Sequence, residues 1–200
     1  MTEEEIKQAK MSRYDVPKFE QIKDILGIDG WFVSDRVVSG EKKIKILDYG
    51  CNAGTFARWI RDKYPILEVY GTDLDKSAID VAREIEASDK PENPVNYYYL
   101  DELQGQYDIM TIMEVVEHLP DPERYFRNLV DAHLKDGGHL IISTPRETFP
   151  QGLHISPHDN DKIFNFMWYY LGTDKVEMKY AATDNTIIAH CVIDRTKRTL

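Results

Sequence analysis

Short apolar runs alternate with amphipathic stretches along most of this chain of 200 residues. Ile44 to Tyr49 reads as a buried strand that runs into a tight turn of small residues and opens a helix. That helix, Thr55 to Tyr64, carries Phe56, Trp59 and Ile60 as its apolar side and stops at Pro65. Leu67 to Thr72 predicts a second strand and Lys76 to about Ala87 a helix, and Val95 to Leu100 predicts a third strand beyond Pro91 and Pro94. Tyr107 to Met113 gives a fourth strand, Glu123 to Leu134 a helix, and Gly138 to Ser143 a fifth strand behind the turn Lys135-Asp136-Gly137-Gly138. Such repetition argues for a parallel sheet covered by helices on both faces.

The pattern changes at both ends. Residues 3–12 are charged and helix-prone, and residues 18–26 carry Phe19, Ile22, Ile25 and Leu26 at helical spacing, so residues 1–40 are expected to form a helical cap or lid. Beyond Pro145 come a loop to about Asp161, an aromatic-rich segment from Ile163 to Leu171, and two strands, Val176 to Tyr180 and Thr186 to Asp194, joined as a hairpin. A hydrophobic content of 42% suits one domain over residues 1–200. No apolar run is long enough to span a bilayer, and the acidic start is unlike a signal segment, so a cytoplasmic protein without a membrane partner is expected. Cys51 and Cys191 lack C-x-x-C spacing and read as reduced thiols. The net charge of −10 would repel a polyanion, which makes nucleic acid a poor candidate partner.

The chemistry begins at the first turn. Asp48, Gly50, Asn52 and Gly54 fall at alternate positions, giving D-x-G-x-N-x-G rather than the dinucleotide fingerprint G-x-G-x-x-G. Small residues let the backbone approach a ligand, and amides at the start of the next helix face it, so the turn reads as a nucleotide-cofactor cradle and a nicotinamide dehydrogenase is disfavoured. The second strand ends at Asp73, where a carboxylate can accept hydrogen bonds from both hydroxyls of a ribose; Asp75 is the better cap for the helix that follows.

This turn resembles the first motif of the class I S-adenosylmethionine-dependent methyltransferases, an acidic residue followed by glycines at alternate positions. Asn52 stands where that family usually has its middle glycine, and Asn is the side chain that best tolerates positive φ. The resemblance covers residues 42–194 and implies a Rossmann-like sheet of seven strands ending in an antiparallel hairpin, with S-adenosylmethionine as cofactor. It assigns the cofactor to Asp48, Gly50, Cys51, Asn52 and Gly54, to Asp73 at the ribose with Leu74 beside it, to Asp101 at the adenine with Glu102 as its immediate competitor, and to Glu114. Asp48 is expected to fix the turn or to meet the cofactor's ammonium indirectly.

Glu114, Glu117 and His118 form an E-x-x-E-H cluster after the fourth strand, and on one helical turn they would share a face. Two carboxylates and an imidazole converging there suit a divalent cation, Mg²⁺ by oxygen ligation or Mn²⁺, Fe²⁺ or Zn²⁺ through the histidine. The string resembles the ubiquinone-biosynthesis O-methyltransferase and small-RNA 2′-O-methyltransferase branches, and His154 or His158 would supply a fourth ligand. Without a metal, His118, His154 or His158 is a candidate general base, whereas His133, His139 and His190 are assigned to surface or interior contacts. Phe164, Phe166, Trp168, Tyr169 and Tyr170, with Tyr14 and Trp31, either line an acceptor pocket or bury against the sheet. The function implied is O-methylation of a small-molecule hydroxyl on a sugar, a phenol or a biosynthetic intermediate. The alternatives are a nucleic-acid 2′-O-methyltransferase and a catalytically silent domain that only binds.

Overall fold

The structure is a computed structural model that describes residues 19–20, 43–146, 162, 165, 176–180 and 186–197. Most of the expected helical cap, the loop after Pro145 and the aromatic segment with its five rings lie outside the described residues, as do Tyr14, Trp31, His154 and His158. The chain divides between Leu103 and Gln104 into two compact units.

The first unit alternates strand and helix: β1 Lys45–Tyr49, α1 Thr55–Lys63, β2 Glu68–Asp73, α2 Lys76–Asp89 and β3 Asn96–Tyr99. Its strands lie in the order β3-β2-β1, all parallel, with Asp48 opposite Gly71 and Gly71 opposite Tyr97. Ile46 and Leu47 point to opposite faces of β1 and both are buried, as a strand covered on both sides requires. Helix α2 starts where Asp75 accepts from Ser77 N at 2.9 Å, the cap expected from sequence. It buries Ile79, Ala82 and Ile85 and ends at Lys90 in the left-handed region, one residue before Pro91.

An ion pair sits inside this unit. Arg61 Nη1 of α1 donates to Glu86 Oε1 of α2, which also accepts from Val95 N at 2.8 Å, and both side chains are buried. Arg61 Nε reaches the exposed Asp62 at 2.8 Å.

The second unit holds β4 Tyr107–Met113, α3 Pro122–His133, β5 Leu134–Pro145, β6 Val176–Tyr180 and β7 Thr186–Val192, with strands in the order β4-β5-β7-β6. β4 and β5 are parallel, while β7 runs antiparallel to both β5 and β6, so the expected terminal hairpin is present. Asp121 caps α3 by accepting from Arg124 N at 3.2 Å, and the helix buries Phe126, Leu129 and Val130.

β5 begins earlier than the glycines suggested. Gly137 has φ 72° and its amide donates to Ile193 O at 2.9 Å, while Ile193 N donates back to Gly138 O at 2.9 Å. The expected turn is thus drawn into the strand as an irregularity, and the register against β4 shifts between Tyr107 and Ile109. His139 and His190, assigned to surface or interior contacts, meet each other: their rings stack with centroids 5.2 Å apart and Nδ1 of His139 lies 3.0 Å from Nε2 of His190. Among the described residues no helix is long and apolar enough to cross a membrane.

The buried ion pair yields a stability test. Arg61→Met leaves the Glu86 charge stranded in the interior and is expected to cost about 3 kcal/mol in urea unfolding. Adding Glu86→Gln, which keeps an acceptor for Val95 N, should recover most of that loss. A single variant within about 0.5 kcal/mol of wild type would mean that the pair behaves as a surface one.

Candidate active site

In the first unit every candidate residue lies at the carboxyl end of a strand. Beyond β1 the chain takes positive φ at every second residue, with Gly50 at 76°, Asn52 at 49° and Gly54 at 79°. Asn52 therefore occupies the left-handed conformation that its place in the motif demands.

The turn's own amides mostly fold the turn itself. Gly50 N and Cys51 N both donate to Thr72 O of β2, at 2.8 and 3.0 Å, and Gly54 N donates to Cys51 O at 2.8 Å. Asn52 N donates to Asp73 Oδ2 at 2.8 Å, and Ala53 N donates to Asn52 Oδ1 at 2.7 Å. The Asn52 side chain braces the turn, a role glycine cannot fill. Donors toward a ligand must then come from the first turn of α1, where Gly54 carries no side-chain cap.

Asp73 joins two loops. Its Oδ2 takes the Asn52 amide and its Oδ1 takes the Asp75 amide at 2.9 Å, which leaves each oxygen a second lone pair. A half-buried carboxylate so fixed can accept from two neighbouring hydroxyls without reorganising. Leu74, beside it, is 79% exposed and offers an apolar surface at the same rim. Asp48 is 2% exposed at the end of β1. The thiol of Cys51 is pushed well above its ordinary range by burial first and then by the charges of Asp48 and Asp73.

After β3 the two acidic candidates separate. Asp101 accepts from Lys76 Nζ at 2.9 Å on the surface, and that hydrogen bond holds its carboxyl below the usual range. Glu102 turns back on its own strand: its Oε2 accepts from Tyr99 N and from Arg83 Nη2, each at 3.1 Å. Asp101 is the one of the pair whose partner is an exposed, movable lysine.

The E-x-x-E-H stretch of the second unit does not form the expected helical face. Glu114 sits at φ 54°, its amide donates to Ser143 O at 2.9 Å, and its Oε1 accepts from Ser143 Oγ at 2.7 Å. Only Val116–His118 makes a 3-10 turn. Glu117 is 1% exposed and accepts from Thr144 Oγ1 at 3.0 Å, while the His118 side chain is 44% exposed with Nε2 3.9 Å from Glu117 Oε1. Among the described residues no three His, Cys, Asp or Glu side chains come together as a cation site: Glu117 and His118 lie side by side, and Glu114 is held separately by Ser143. The cause is the left-handed Glu114, which breaks the helical spacing on which the triad depended.

Two residues of the first unit had no sequence signal. Tyr97, one of three consecutive tyrosines, lays its ring where side chains at Gly54 and Gly71 would stand: a Cβ at Gly54 would lie 2.1 Å from Tyr97 Oη, and one at Gly71 2.8 Å from Cδ1. Arg58, on α1, is buried and donates through Nη1 to Ala53 O.

The family model of the methyltransferase domain matches residues 19–195. The chain belongs to the methyltransferase-domain family. It is 33% identical over 114 residues to the ubiquinone biosynthesis O-methyltransferase of Coxiella burnetii, a match covering 54% of this chain and 47% of that protein. The mitochondrial ubiquinone biosynthesis O-methyltransferase of Saccharomyces cerevisiae is 31% identical over 105 residues, covering 51% of this chain and 34% of that one. These matches span less than half the length of the curated relatives. Magnesium protoporphyrin IX methyltransferase of Synechocystis, solved with bound SAH, superposes with a TM-score of 0.63 over 90% of this chain and 84% of that one, at 17% identity. At that identity the likeness is one of fold, and it agrees with the Rossmann-like α/β class read from sequence.

The buried Glu117 gives a pH test. Its carboxyl is pushed up by burial first and then by Glu114, so the stability it contributes is present below its unfolded value and lost as pH rises through the raised folded value. Glu117→Gln, which keeps an acceptor for Thr144, should therefore raise Tm at neutral pH, and the gain should shrink on acidification toward the ordinary carboxylate range. A gain independent of pH would remove titration of Glu117 as its cause.

Proposed function

We propose that this chain is an S-adenosylmethionine-dependent methyltransferase acting on the hydroxyl of a small molecule. The single observation that supports the cofactor most is Asp73, fixed by two backbone amides and keeping a lone pair on each oxygen for the ribose hydroxyls. Leu74 offers its exposed side chain to the adenine face, and Asp101 its carboxylate to the adenine amino group once it shares Lys76. Glu114, set in place by Ser143, is the second unit's proposed cofactor contact. The likeness to ubiquinone biosynthesis O-methyltransferases supports oxygen as the atom methylated. The acidity of the chain weighs against a nucleic-acid acceptor.

When bound, the cofactor supplies an electrophilic methyl group on a sulfonium. The chain's share of the chemistry is to align the acceptor and to take its proton. His118 is the proposed base: its imidazole is half-exposed, and the buried Glu117 carboxylate 3.9 Å away stabilises the imidazolium that forms. His154 and His158 are the other imidazoles proposed for this step. The described donor set does not fit a metal, and no step is assigned to one.

Calorimetric titration tests the cofactor directly. Wild type is expected to bind S-adenosylmethionine and its demethylated product, and Asp73→Ala to weaken both by about tenfold or more. Binding of neither ligand by wild type would overturn the proposal; binding without turnover on any hydroxyl acceptor would leave a silent binding domain.

A further inference from the structure

Arg58 is a buried cation of the first unit. It is 8% exposed, it lies in the first turns of α1 where the helix dipole is positive, and among the described residues no carboxylate pairs with it. A buried cation in such a place destabilises a fold, and a methionine of similar length would fill the volume at less cost. What methionine cannot do is donate to the Ala53 carbonyl, as Arg58 Nη1 does. Tyr97 acts on the next carbonyl: its hydroxyl donates to Gly54 O at 3.4 Å while its ring fills the space that the missing Cβ atoms of Gly54 and Gly71 leave.

We infer that Arg58 and Tyr97 are positioning residues that hold the carbonyls of Ala53 and Gly54 from behind and thereby set the cofactor turn for binding. The inference rests on the cofactor reading above. The two side chains come from α1 and β3, so they tie the turn to a helix and to a strand beyond it. With the carbonyls fixed, Gly54 keeps its left-handed φ and the first amides of α1 keep their direction. Releasing the carbonyls lets the turn sample other conformations, and binding must then select the competent one.

Such a role separates affinity from stability. Arg58→Met should weaken binding of the demethylated cofactor about tenfold, one charged hydrogen bond's worth, while Tm stays at or above the wild-type value because an unpaired buried charge is gone. Tyr97→Phe keeps the ring and should weaken binding by a smaller factor in the same direction, and Arg58→Lys should fall between Arg58→Met and wild type. Unchanged affinity in Arg58→Met would overturn the inference, and so would a lowered Tm or failure to fold, which marks an ordinary structural cation. Absence of binding by wild type would instead sink the cofactor reading itself.

Discussion

The end of β2 holds the turn after β1 by three hydrogen bonds and the loop before α2 by a fourth, and the rest of the site depends on them. Thr72 O accepts the amides of Gly50 and Cys51; Asp73, next in sequence, accepts those of Asn52 and Asp75 through its two carboxylate oxygens. The turn is therefore not autonomous, because its shape is dictated by the register that sets Tyr49 opposite Thr72. The same carboxylate fixes the start of α2, so the two loops that flank the proposed ribose site share one anchor. A register slip of one residue between β1 and β2 would detach both at once.

β3 adds a further demand. Gly71 lies opposite Tyr97, and the tyrosine ring passes over it to reach Gly54, so three strands fix one loop from one side chain. Glycine at 71 is needed for approach rather than for backbone freedom, whereas Gly54 must satisfy both: it takes φ 79° and meets the Tyr97 hydroxyl. This explains why the turn can give up its middle glycine and keep its last. Asn52 needs only a tolerable positive φ and repays it by accepting the Ala53 amide.

What could be read from sequence followed how local the cause was. Asp75 as a cap, Pro65 as a stop and the positive φ at Gly50, Asn52 and Gly54 each depend on a few neighbouring residues, and they were legible. Asp73 was legible because a strand end is recognisable from the apolar run before it. Tyr97 was not, since its partners are 26 and 43 positions away and two further tyrosines follow it directly. Arg58 was not legible either, since its contact with the Ala53 carbonyl depends on the fold of the turn. The E-x-x-E-H stretch failed for the opposite reason: helical spacing was carried across Glu114, whose left-handed backbone is set by Ser143 from a different strand. The start of β5 was misplaced likewise, because Ile193 near the end of the chain draws Gly137 and Gly138 into pairing.

The charges around the turn also bear on its one nucleophilic atom. A thiolate in a cradle for a sulfonium methyl donor would compete with any acceptor for the methyl group. Cys51 lies in that turn, and burial together with Asp48 and Asp73 raises its pKa well above the ordinary thiol range, so the sulfur stays protonated and a poor nucleophile at neutral pH. Its Sγ packs instead against Gly71, 3.0 Å from where a Cβ there would stand. The acidic pair that suits a cationic cofactor thus also silences the nearest sulfur. Arg58 pulls the Cys51 pKa down, but burial and both carboxylates outweigh it, so the turn can carry a buried guanidinium without activating the thiol beside it.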